Sequence, residues 1–472
     1  MRPNVLLVVL DTARADAFEP YGAPPGASPA IAQMARRGSA LDPVYAPAGW
    51  TLPSHVGMFS GLMPRSVGLG QAPGGPQAAR AVMEGLRPRL LPEVLHHAGY
   101  ETAGISANPW ISPQSGFDIG FDRFTLLTSP RVHPGEGRGR RLPAEWSTNT
   151  LAPRLDDGAR AIEQHLGAWL RSRHSNPFFW FVNLIECHSP YFPPRPYNDL
   201  PVVQRFLAAR DARRYGSMEA VWRACLGGFD LEEATLRRMR HLYARSVRQV
   251  DDWVGRVLAG LDGAGVLDET LVIVTSDHGE NIGEGGLISH AFSLDERLLR
   301  VPLVSAGPGA PAARRLTSLV ELPRLVAEAT GLTTTPWMDD PAPRGVAVAE
   351  YDPMIPPGDP LGDEVVRLWR LGPGAIHRFT TPMTCATDGR FKLLRDGHLE
   401  QLYDLRADPL EAAPLTEPAA ISALAGDALA PLRAALDRPA ERMEPPVVVP
   451  PAPPAADEQE ALERQMRLLG YL

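Results

Sequence analysis

Three side chains that can bind a metal ion follow two apolar runs of the sequence, close to the points where the runs end. Asp11 follows Val5–Leu10 directly, and Asp277 and His278 come shortly after Leu271–Thr275. Short runs rich in β-branched residues are typical of buried parallel strands, whose C-terminal ends bind ligands in α/β proteins. Carboxylate and imidazole groups are suitable ligands for a divalent cation. The pattern therefore predicts a metal site, although an aspartate after a strand is also a common helix N-cap.

A hydroxyl group and an imidazole flank a proline in the segment Trp50-Thr51-Leu52-Pro53-Ser54-His55. A helical pattern follows at Val56–Leu62, so the segment would lie at a helix N-terminus. The N–H groups and the positive dipole end of such a terminus favour an oxyanion. The alternative is an ordinary helix start, with a Ser or Thr cap and a proline in the first turn.

Helical patterns and apolar runs alternate between the two acidic strands. Helical spacing covers Leu91–Ala98 before TAGIS, Leu155–Arg171 before PFFWFVNLIE, and Arg238–Leu261 before the second acidic strand. This alternation is typical of a mostly parallel sheet with helices on both faces. We therefore predict an α/β fold with a large, mostly parallel central sheet that brings Asp11 and Asp277 to one edge.

The pattern changes near residue 346. Short alternating runs such as Met383–Thr387 and Arg390–Arg395, joined by polar turns, predict a smaller C-terminal antiparallel sheet. The Pro-rich stretch Pro445–Pro454 predicts an extended linker, and Asp457–Leu469 predicts a short terminal helix. We therefore divide the chain into a large domain (1–345), an α+β subdomain (346–440) and a linker with a terminal helix (441–472).

The composition of the 472-residue chain argues against several classes of protein. A formal net charge of -8 without a basic block argues against a nucleic-acid-binding protein. Three widely spaced cysteines, Cys187, Cys225 and Cys385, match neither a disulfide framework nor a zinc clip and predict a reduced, cytoplasmic setting. No apolar run reaches the length of a signal peptide core or a membrane span, so we expect no stable membrane insertion.

Six blocks of the sequence, in the same order, resemble the sulfatase family of the alkaline phosphatase superfamily. They are PNVLLVVLDTARAD, YAPAGWTLPSHVGMFSGLMP, NLIECHSPYFPP, VIVTSDHGENIGEGG, SHAFSLDERLLRVPLV and FKLLRDGHLEQLYDLRADPLE. The resemblance implies an alkaline phosphatase-like fold and an ester hydrolase that acts on a small anionic substrate. It also implies that Asp11, Asp277, His278 and the side chain of Thr51 hold one divalent metal ion, with Thr51 as the nucleophile. We expect Mn or Ca, and Zn fits the same ligands.

The sequence departs from true sulfatases at three positions. Those enzymes have Cys or Ser, which they convert to formylglycine, where this chain has Thr51; they have Arg at the position of His55 and usually a second Asp at that of Thr12. Threonine cannot be converted in this way, so we expect no formylglycine. Related phosphoglycerol and phosphoethanolamine transferases use an unmodified threonine, and a phosphonate monoester hydrolase subgroup has the same Asp-His metal pair.

The expected reaction is hydrolysis of phosphate, phosphonate or sulfate esters through a covalent intermediate on Thr51. A threonine ester must be cleared by a second attack on phosphorus or sulfur, and phosphoryl centres suit such a two-step displacement better. Two alternatives are open: a transferase that passes a phospho group to a hydroxyl acceptor, and a non-catalytic protein with the same fold. The sequence does not indicate the natural substrate or the oligomeric state.

Three histidines complete the expected site. The resemblance places His188 at a position that binds the substrate oxyanion or leaving group, and His290 near the leaving oxygen, where it can act as a general acid. His55 stands where the family has the arginine that orients the nucleophile. For each of the three, a structural role is an open alternative. Asn108 matches a block that lines the pocket but also suits a turn cap, and Lys392 is expected to bridge the two domains.

Overall fold

The computed structural model describes most of the chain. The described residues are 2–72, 75–127, 153–172, 174–290, 292–312, 316–338, 340, 345–372 and 374–438. The predicted linker and terminal helix at 441–472 lie outside the described residues, so the structure does not test them.

Two sheets organise the fold. The strands are, in chain order, β1 (Asn4–Leu10), β2 (Ser39–Leu41), β3 (Val44–Tyr45), β4 (Glu101–Ser106), β5 (Arg123–Leu126), β6 (Phe178–Leu184), β7 (Thr270–Thr275), β8 (Asn281–Ile282), β9 (Ile288–Ser289), β10 (Leu303–Ala306), β11 (Thr317–Ser318), β12 (Ala347–Tyr351), β13 (Met383–Thr387), β14 (Phe391–Asp396) and β15 (Leu399–Asp404). The central sheet has the order β2-β10-β7-β1-β6-β4-β5, and β12 to β15 form a separate four-stranded sheet. Neighbouring strands from β7 to β5 run parallel, whereas β10 is antiparallel to β7 and β2.

Helices cover both faces of the central sheet. The α-helices are, in chain order, α1 (Pro29–Arg37), α2 (Thr51–Ser60), α3 (Gly75–Leu86), α4 (Leu91–His97), α5 (Ala159–Arg171), α6 (Val202–Tyr215), α7 (Met218–Cys225), α8 (Glu233–Gly263), α9 (Glu296–Leu299), α10 (Leu322–Thr330), α11 (Pro360–Trp369), α12 (His377–Thr380), α13 (Pro418–Ala425) and α14 (Leu429–Leu436). Alternate side chains of β1 point to opposite faces. Val5, Leu7 and Val9 pack with α2, α3, α4 and α10, whereas Leu6 and Val8 pack with α1, α5 and α8.

The register of the two central strands determines where the acidic residues lie. Strand β1 pairs in parallel with β7, and Val9 is the partner of Thr275. Asp11 comes two residues after Val9, and Asp277 comes two residues after Thr275. The two aspartates therefore lie side by side at the C-terminal edge of the sheet. The predicted fold class is confirmed, and β1 and β7 are the elements that position the predicted metal site.

A buried cation on the small sheet, Lys392, contacts the large domain. Lys392, on β14, donates from Nζ to the main-chain oxygen of Leu294 at 2.5 Å and pairs with Glu411 at 2.7 Å and with Glu296 at 3.3 Å. Leu294 and Glu296 belong to the large domain, so Lys392 bridges the two parts of the chain as expected. The division of the chain at residue 345 stays a prediction.

One helical run in the described part of the chain, Pro418–Leu436, is long and apolar enough, by length and composition, to cross a membrane. The expectation that no run reaches this length was therefore wrong for these 19 residues. A run of this kind does not by itself indicate a membrane protein, because helices of soluble proteins meet the same criterion. A 3₁₀ turn at Gly426–Ala428 divides it into α13 and α14. Leu429 and Leu432 are buried against side chains of the small sheet.

Two predicted helices have different limits in the structure. Helix α5 begins at Ala159 rather than Leu155, because Gly158 precedes it with a φ of 126°, which is not helical. Helix α8 extends beyond the predicted Arg238–Leu261 at both ends.

Candidate active site

Asp11, Asp277 and His278 converge at the C-terminal edge of the central sheet. One ligand atom from each lies within 4.8 Å of the others, and all three side chains are fully buried. Asp11 follows β1, and Asp277 and His278 follow the adjacent parallel strand β7. The structure therefore brings together the three metal ligands that the sequence analysis proposed.

The loop after β1 is held against Asp277 rather than adding a ligand. The main-chain N–H of Thr12 donates to Oδ1 of Asp277 at 3.2 Å, and Thr12 has a positive φ of 60°. Its hydroxyl donates to the main-chain oxygen of Asp11 at 2.7 Å. Where sulfatases usually have a second aspartate, this chain thus has a side chain that bonds its own backbone.

The charges and unpaired oxygens of this cluster fit a divalent cation. Oδ1 of Asp11 and Oδ2 of Asp277 are buried and accept no hydrogen bond from the described residues. Burial raises the pKa of Asp277 to about 7, and burial together with the charge of Asp277 raises the pKa of Asp11 well above its usual value. Such carboxyl groups ionise readily only when a cation compensates their charge.

His278 presents the nitrogen that a metal ion needs. Its Nδ1 donates to the main-chain oxygen of Gly279 at 2.9 Å, which fixes the tautomer. Nε2 is therefore unprotonated in the neutral ring and lies 3.3 Å from Oδ2 of Asp277. Burial lowers the pKa of His278 well below its usual value, which favours the neutral form. Two carboxylates and a neutral imidazole are a suitable donor set for Mn, Zn or Ca.

Thr51 lies beside this cluster. Its Oγ1 is 3.2 Å from Nε2 of His278 and 3.5 Å from Nδ2 of Asn108, and the residue is fully buried. Helix α2 begins at Thr51 and not at the predicted Val56. Pro53 thus sits in the first turn, where its missing N–H leaves no intrahelical hydrogen bond unmade. The first residue of α2 therefore places its hydroxyl group next to the proposed metal ligands.

His55 lies one turn further along α2 and holds the backbone of Thr51. Its Nδ1 donates to the main-chain oxygen of Thr51 at 2.9 Å, and its Nε2 accepts from Nδ2 of Asn183 at 3.2 Å. The rings of Phe117 and Phe181 face it edge-on. Burial lowers the pKa of His55 to about 3, so the ring is neutral at physiological pH. His55 therefore cannot supply the positive charge of the arginine that it replaces.

Asn108 has both of the roles that the sequence left open. Its Nδ2 donates to Oδ2 of Asp11 at 2.7 Å, and its Oδ1 accepts from the main-chain N–H of Trp110 at 2.9 Å. The hydrogen bond from Trp110 thus orients the side-chain amide of Asn108 so that its Nδ2 faces the carboxylate of Asp11. Asn108 orients Asp11 and leaves the second oxygen of that carboxylate for a cation.

His188 and His290 lie next to each other on one side of the cluster. Their ring centroids are 5.0 Å apart, and the ring of His290 is 4.7 Å from that of His278. Nδ1 of His188 donates to the main-chain oxygen of Ser189 at 2.7 Å. Burial, reinforced by His290, lowers the pKa of His188 to about 3. The structure brings both histidines to the site, where they can act as hydrogen-bonding groups toward a substrate.

Two polar residues of the site were missed by the sequence analysis. Asn183, the partner of His55, is marked in the sequence only as the polar residue within the apolar strand FFWFVNL. Glu280, which contacts His290, belongs to the DHGE stretch but was not singled out. The carboxyl group of Glu186 accepts from the N–H of Ala159 at 2.7 Å, at the start of α5.

Comparison with known proteins identifies the relatives of this chain. The family model described as Sulfatase matches residues 3–333. A choline-sulfatase of Rhizobium meliloti (strain 1021) is 24% identical over 453 residues, which cover 88% of this chain and 83% of the relative.

Two solved structures share the fold. A 2-O GAG sulfatase has a TM-score of 0.65 at 17% identity and covers 93% of this chain and 91% of its own. The phosphonate monoester hydrolase of Agrobacterium radiobacter has a TM-score of 0.63 at 21% identity, with coverage of 92% and 96%. At these identities the likeness establishes the architecture and not the substrate.

Proposed function

The chain belongs to the sulfatase family, and on that basis we propose that it hydrolyses phosphate, phosphonate or sulfate esters through a covalent intermediate on Thr51. One observation carries the proposal. Oγ1 of Thr51 lies 3.2 Å from Nε2 of His278, next to two buried aspartates that each have an oxygen without a partner among the described residues. A hydroxyl group beside a set of unsatisfied metal ligands is one arrangement that can activate an alcohol as a nucleophile.

Asp11, Asp277, His278 and Oγ1 of Thr51 would hold one divalent ion, with Mn or Ca expected and Zn compatible. When bound, the ion supplies positive charge that lowers the pKa of the Thr51 hydroxyl and neutralises charge on the transferred group. Asn108 keeps Asp11 in place through the 2.7 Å hydrogen bond to its Oδ2.

Each residue of the site has its own role in the proposed reaction. The Thr51 hydroxyl gives its proton to water as its oxygen attacks the phosphorus or sulfur atom, and the bond from that atom to the leaving oxygen breaks. The leaving oxygen takes a proton from Nε2 of His290 when both ring nitrogens of His290 are protonated, whereas His188, whose Nδ1 donates to Ser189, offers Nε2 to the substrate as an acceptor. Water then attacks the same phosphorus or sulfur atom and breaks its bond to Oγ1 of Thr51, which releases the phosphate, phosphonate or sulfate product, and Thr51 takes up a proton to restore its hydroxyl. His55 keeps the first turn of α2 fixed through the main-chain oxygen of Thr51.

Thr51 itself favours phosphorus over sulfur as the reacting atom, because a threonine ester has to be cleared by a second displacement, which phosphoryl centres tolerate well. Phosphonate monoesters belong in the substrate panel because a phosphonate monoester hydrolase shares the fold. Choline sulfate belongs in the substrate panel because a choline-sulfatase matches most of the chain.

The test combines metal loading with a substrate panel. Protein loaded with Mn, Ca or Zn is assayed on aryl phosphate diesters, aryl phosphonate monoesters, aryl sulfates and choline sulfate. We expect turnover that a chelator abolishes and added metal restores. We also expect Thr51→Ala to be inactive while it keeps the thermal unfolding midpoint of the wild type. Quenching a slow substrate should leave the transferred group on the peptide that contains Thr51.

Three outcomes would contradict the proposal. The first is near wild-type turnover by Thr51→Ala, and the second is a quenched intermediate on another residue. The third is the absence of both bound metal and turnover on the whole panel, which would favour a non-catalytic protein. Faster product formation in added glycerol, with the group passed to glycerol, would instead favour the transferase alternative.

A further inference from the structure

Glu280 is a buried carboxylate that the proposed reaction does not use, and it faces His290. Its Oε1 lies 3.1 Å from Nδ1 of His290. We propose that Glu280 is a positioning residue, which fixes the ring of His290 and assigns Nε2, rather than Nδ1, to the leaving group of the substrate. The inference rests on the proposed function, because it assumes that His290 serves the leaving oxygen.

The surroundings favour a hydrogen bond of well-defined geometry. Glu280 is fully buried and His290 is 9% exposed, so water competes little for the contact. A carboxylate accepts only, so Nδ1 is the protonated nitrogen of the neutral ring. When both ring nitrogens carry a proton, Nδ1–H stays on Glu280, and the proton on Nε2 is the one that the leaving oxygen can take.

The segment that carries His290 is held in an unusual conformation. Ser289 and Phe292 lie on either side of it, with φ angles of 66° and 67°. For residues other than glycine such a conformation is strained, and strain of this kind is concentrated at functional sites. Phe292 stacks on Phe379 with ring centroids 4.2 Å apart. This packing holds the ring of Phe292 in place, two residues after His290.

The backbone of Glu280 is fixed as well. Its main-chain oxygen accepts from Nη1 of Arg14 at 3.3 Å, and Arg14 also pairs with Glu284 at 2.7 Å. Among the described residues, the group that can hold a metal ion consists of Asp11, Asp277 and His278 and does not include Glu280. The hydrogen bond to His290 is thus the contact through which we propose that Glu280 acts.

The experiment compares Glu280→Gln with His290→Ala, with the double variant and with Glu284→Gln on aryl and alkyl esters of increasing leaving-group pKa. Glu284 is the matched control, because its carboxylate pairs with Arg14 and has no contact with His290 among the interactions described. We expect Glu280→Gln to lower kcat about 100-fold for poor leaving groups and about 3-fold or less for 4-nitrophenyl esters. KM and bound metal should be unchanged, and the double variant should be no slower than His290→Ala.

Several results would overturn the inference. Two concern Glu280→Gln: an equal loss of kcat for good and poor leaving groups, and loss of bound metal. The other two are additive losses of kcat in the double variant and a similar loss of kcat in Glu284→Gln. If Glu280→Gln does not fold, NMR of the wild-type protein labelled with ¹⁵N-histidine decides: Nδ1 of His290, assigned with His290→Ala, must carry the proton. A wild-type protein without metal-dependent turnover would refute the proposed function, whereas an active wild type with these results refutes only the role of Glu280.

Discussion

The Nδ1 atom of His55 lies 2.9 Å from the main-chain oxygen of Thr51 and 3.4 Å from Oδ2 of Asp277. One neutral ring thus contacts both the residue proposed as nucleophile and a proposed metal ligand. The ring is buried among aromatic side chains, and its other nitrogen accepts from Asn183. His55 therefore fixes the geometry between the start of α2 and the end of β7 through hydrogen bonds and packing, without a charge.

We expect His55→Ala to lower the free energy of unfolding by about 3 kcal/mol, because it leaves a cavity and removes two buried hydrogen bonds. We also expect lower kcat, because Thr51 loses its backbone anchor. Urea unfolding and steady-state kinetics measure the two effects. His97→Ala is the matched control, since His97 makes the same 2.9 Å bond to the oxygen four residues earlier but its side chain is 72% exposed.

His55→Arg distinguishes this role from that of the arginine in true sulfatases. A guanidinium group has no acceptor to offer Asn183, and its charge would be buried next to Phe117 and Phe181. We expect this variant to be less active than the wild type. An increase in activity would mean that the site lacks a positive charge that the arginine supplies, and the neutral anchor would be the wrong interpretation.

Metal binding should stabilise the fold. Without metal, the protein buries two carboxyl groups, and burial raises the pKa values of both. A cation that binds only the folded state raises the free energy of unfolding by mass action, by about 2.7 kcal/mol when its concentration is a hundred times the Kd. We expect added Mn or Ca to raise the Tm of chelated protein. Asp277→Asn should abolish this rise, while its apo form is at least as stable as apo wild type because one buried acid is gone. An unchanged metal-induced rise in Asp277→Asn would contradict the ligand assignment.

Part of this site could be predicted from the sequence because it depends on adjacent parallel strands. Asp11 and Asp277 follow two continuous apolar runs, and pairing of these runs is enough to bring the carboxylates together. The roles of Thr51, His55, His188 and His290 were predicted from the resemblance of sequence blocks to the sulfatase family and not from the expected geometry of the sheet. The contact between Glu280 and His290 could not be foreseen, because it depends on a loop with two non-glycine residues at positive φ. The antiparallel strands β2 and β10 at the sheet edge carry no clear signal, since they are short and lie far apart in the sequence.

The ion pairs of Lys392 provide a test of the contact between the two sheets. Lys392 is the only lysine of the sequence, and its ammonium group is buried between Glu411 and Glu296. Removing one partner of a buried ion pair typically costs about 3–5 kcal/mol, because the other charge stays behind uncompensated. We expect Lys392→Met to lower the free energy of unfolding by this order. Arg390→Met is the control, because the side chain of Arg390, which pairs with Asp404, is 47% exposed.

The same lysine allows a chemical measurement of native-state opening. An amine-reactive reagent can modify Lys392 only when the contact with Leu294, Glu296 and Glu411 opens. We expect modification of Lys392 to be far slower in the native protein than in urea and to accelerate in Glu411→Gln. Modification at the rate of an exposed lysine would show that the small sheet separates readily from the large domain.

Glu186 should make stability depend on pH. Burial, with smaller contributions from Asp157 and Asp156, raises the pKa of Glu186 from 4.5 to about 8. The folded state therefore keeps a proton that the unfolded chain loses near pH 4.5, so its contribution to stability is fully present below that pH and falls until about pH 8. Glutamine cannot ionise, so the stability of Glu186→Gln should not show this fall, which amounts to at most about 5 kcal/mol. Urea unfolding of both proteins at pH 5 and pH 8 measures it, with Glu163→Gln, on the surface of α5, as control. A difference between variant and wild type that is the same at both pH values would mean that Glu186 is ionised in the folded protein.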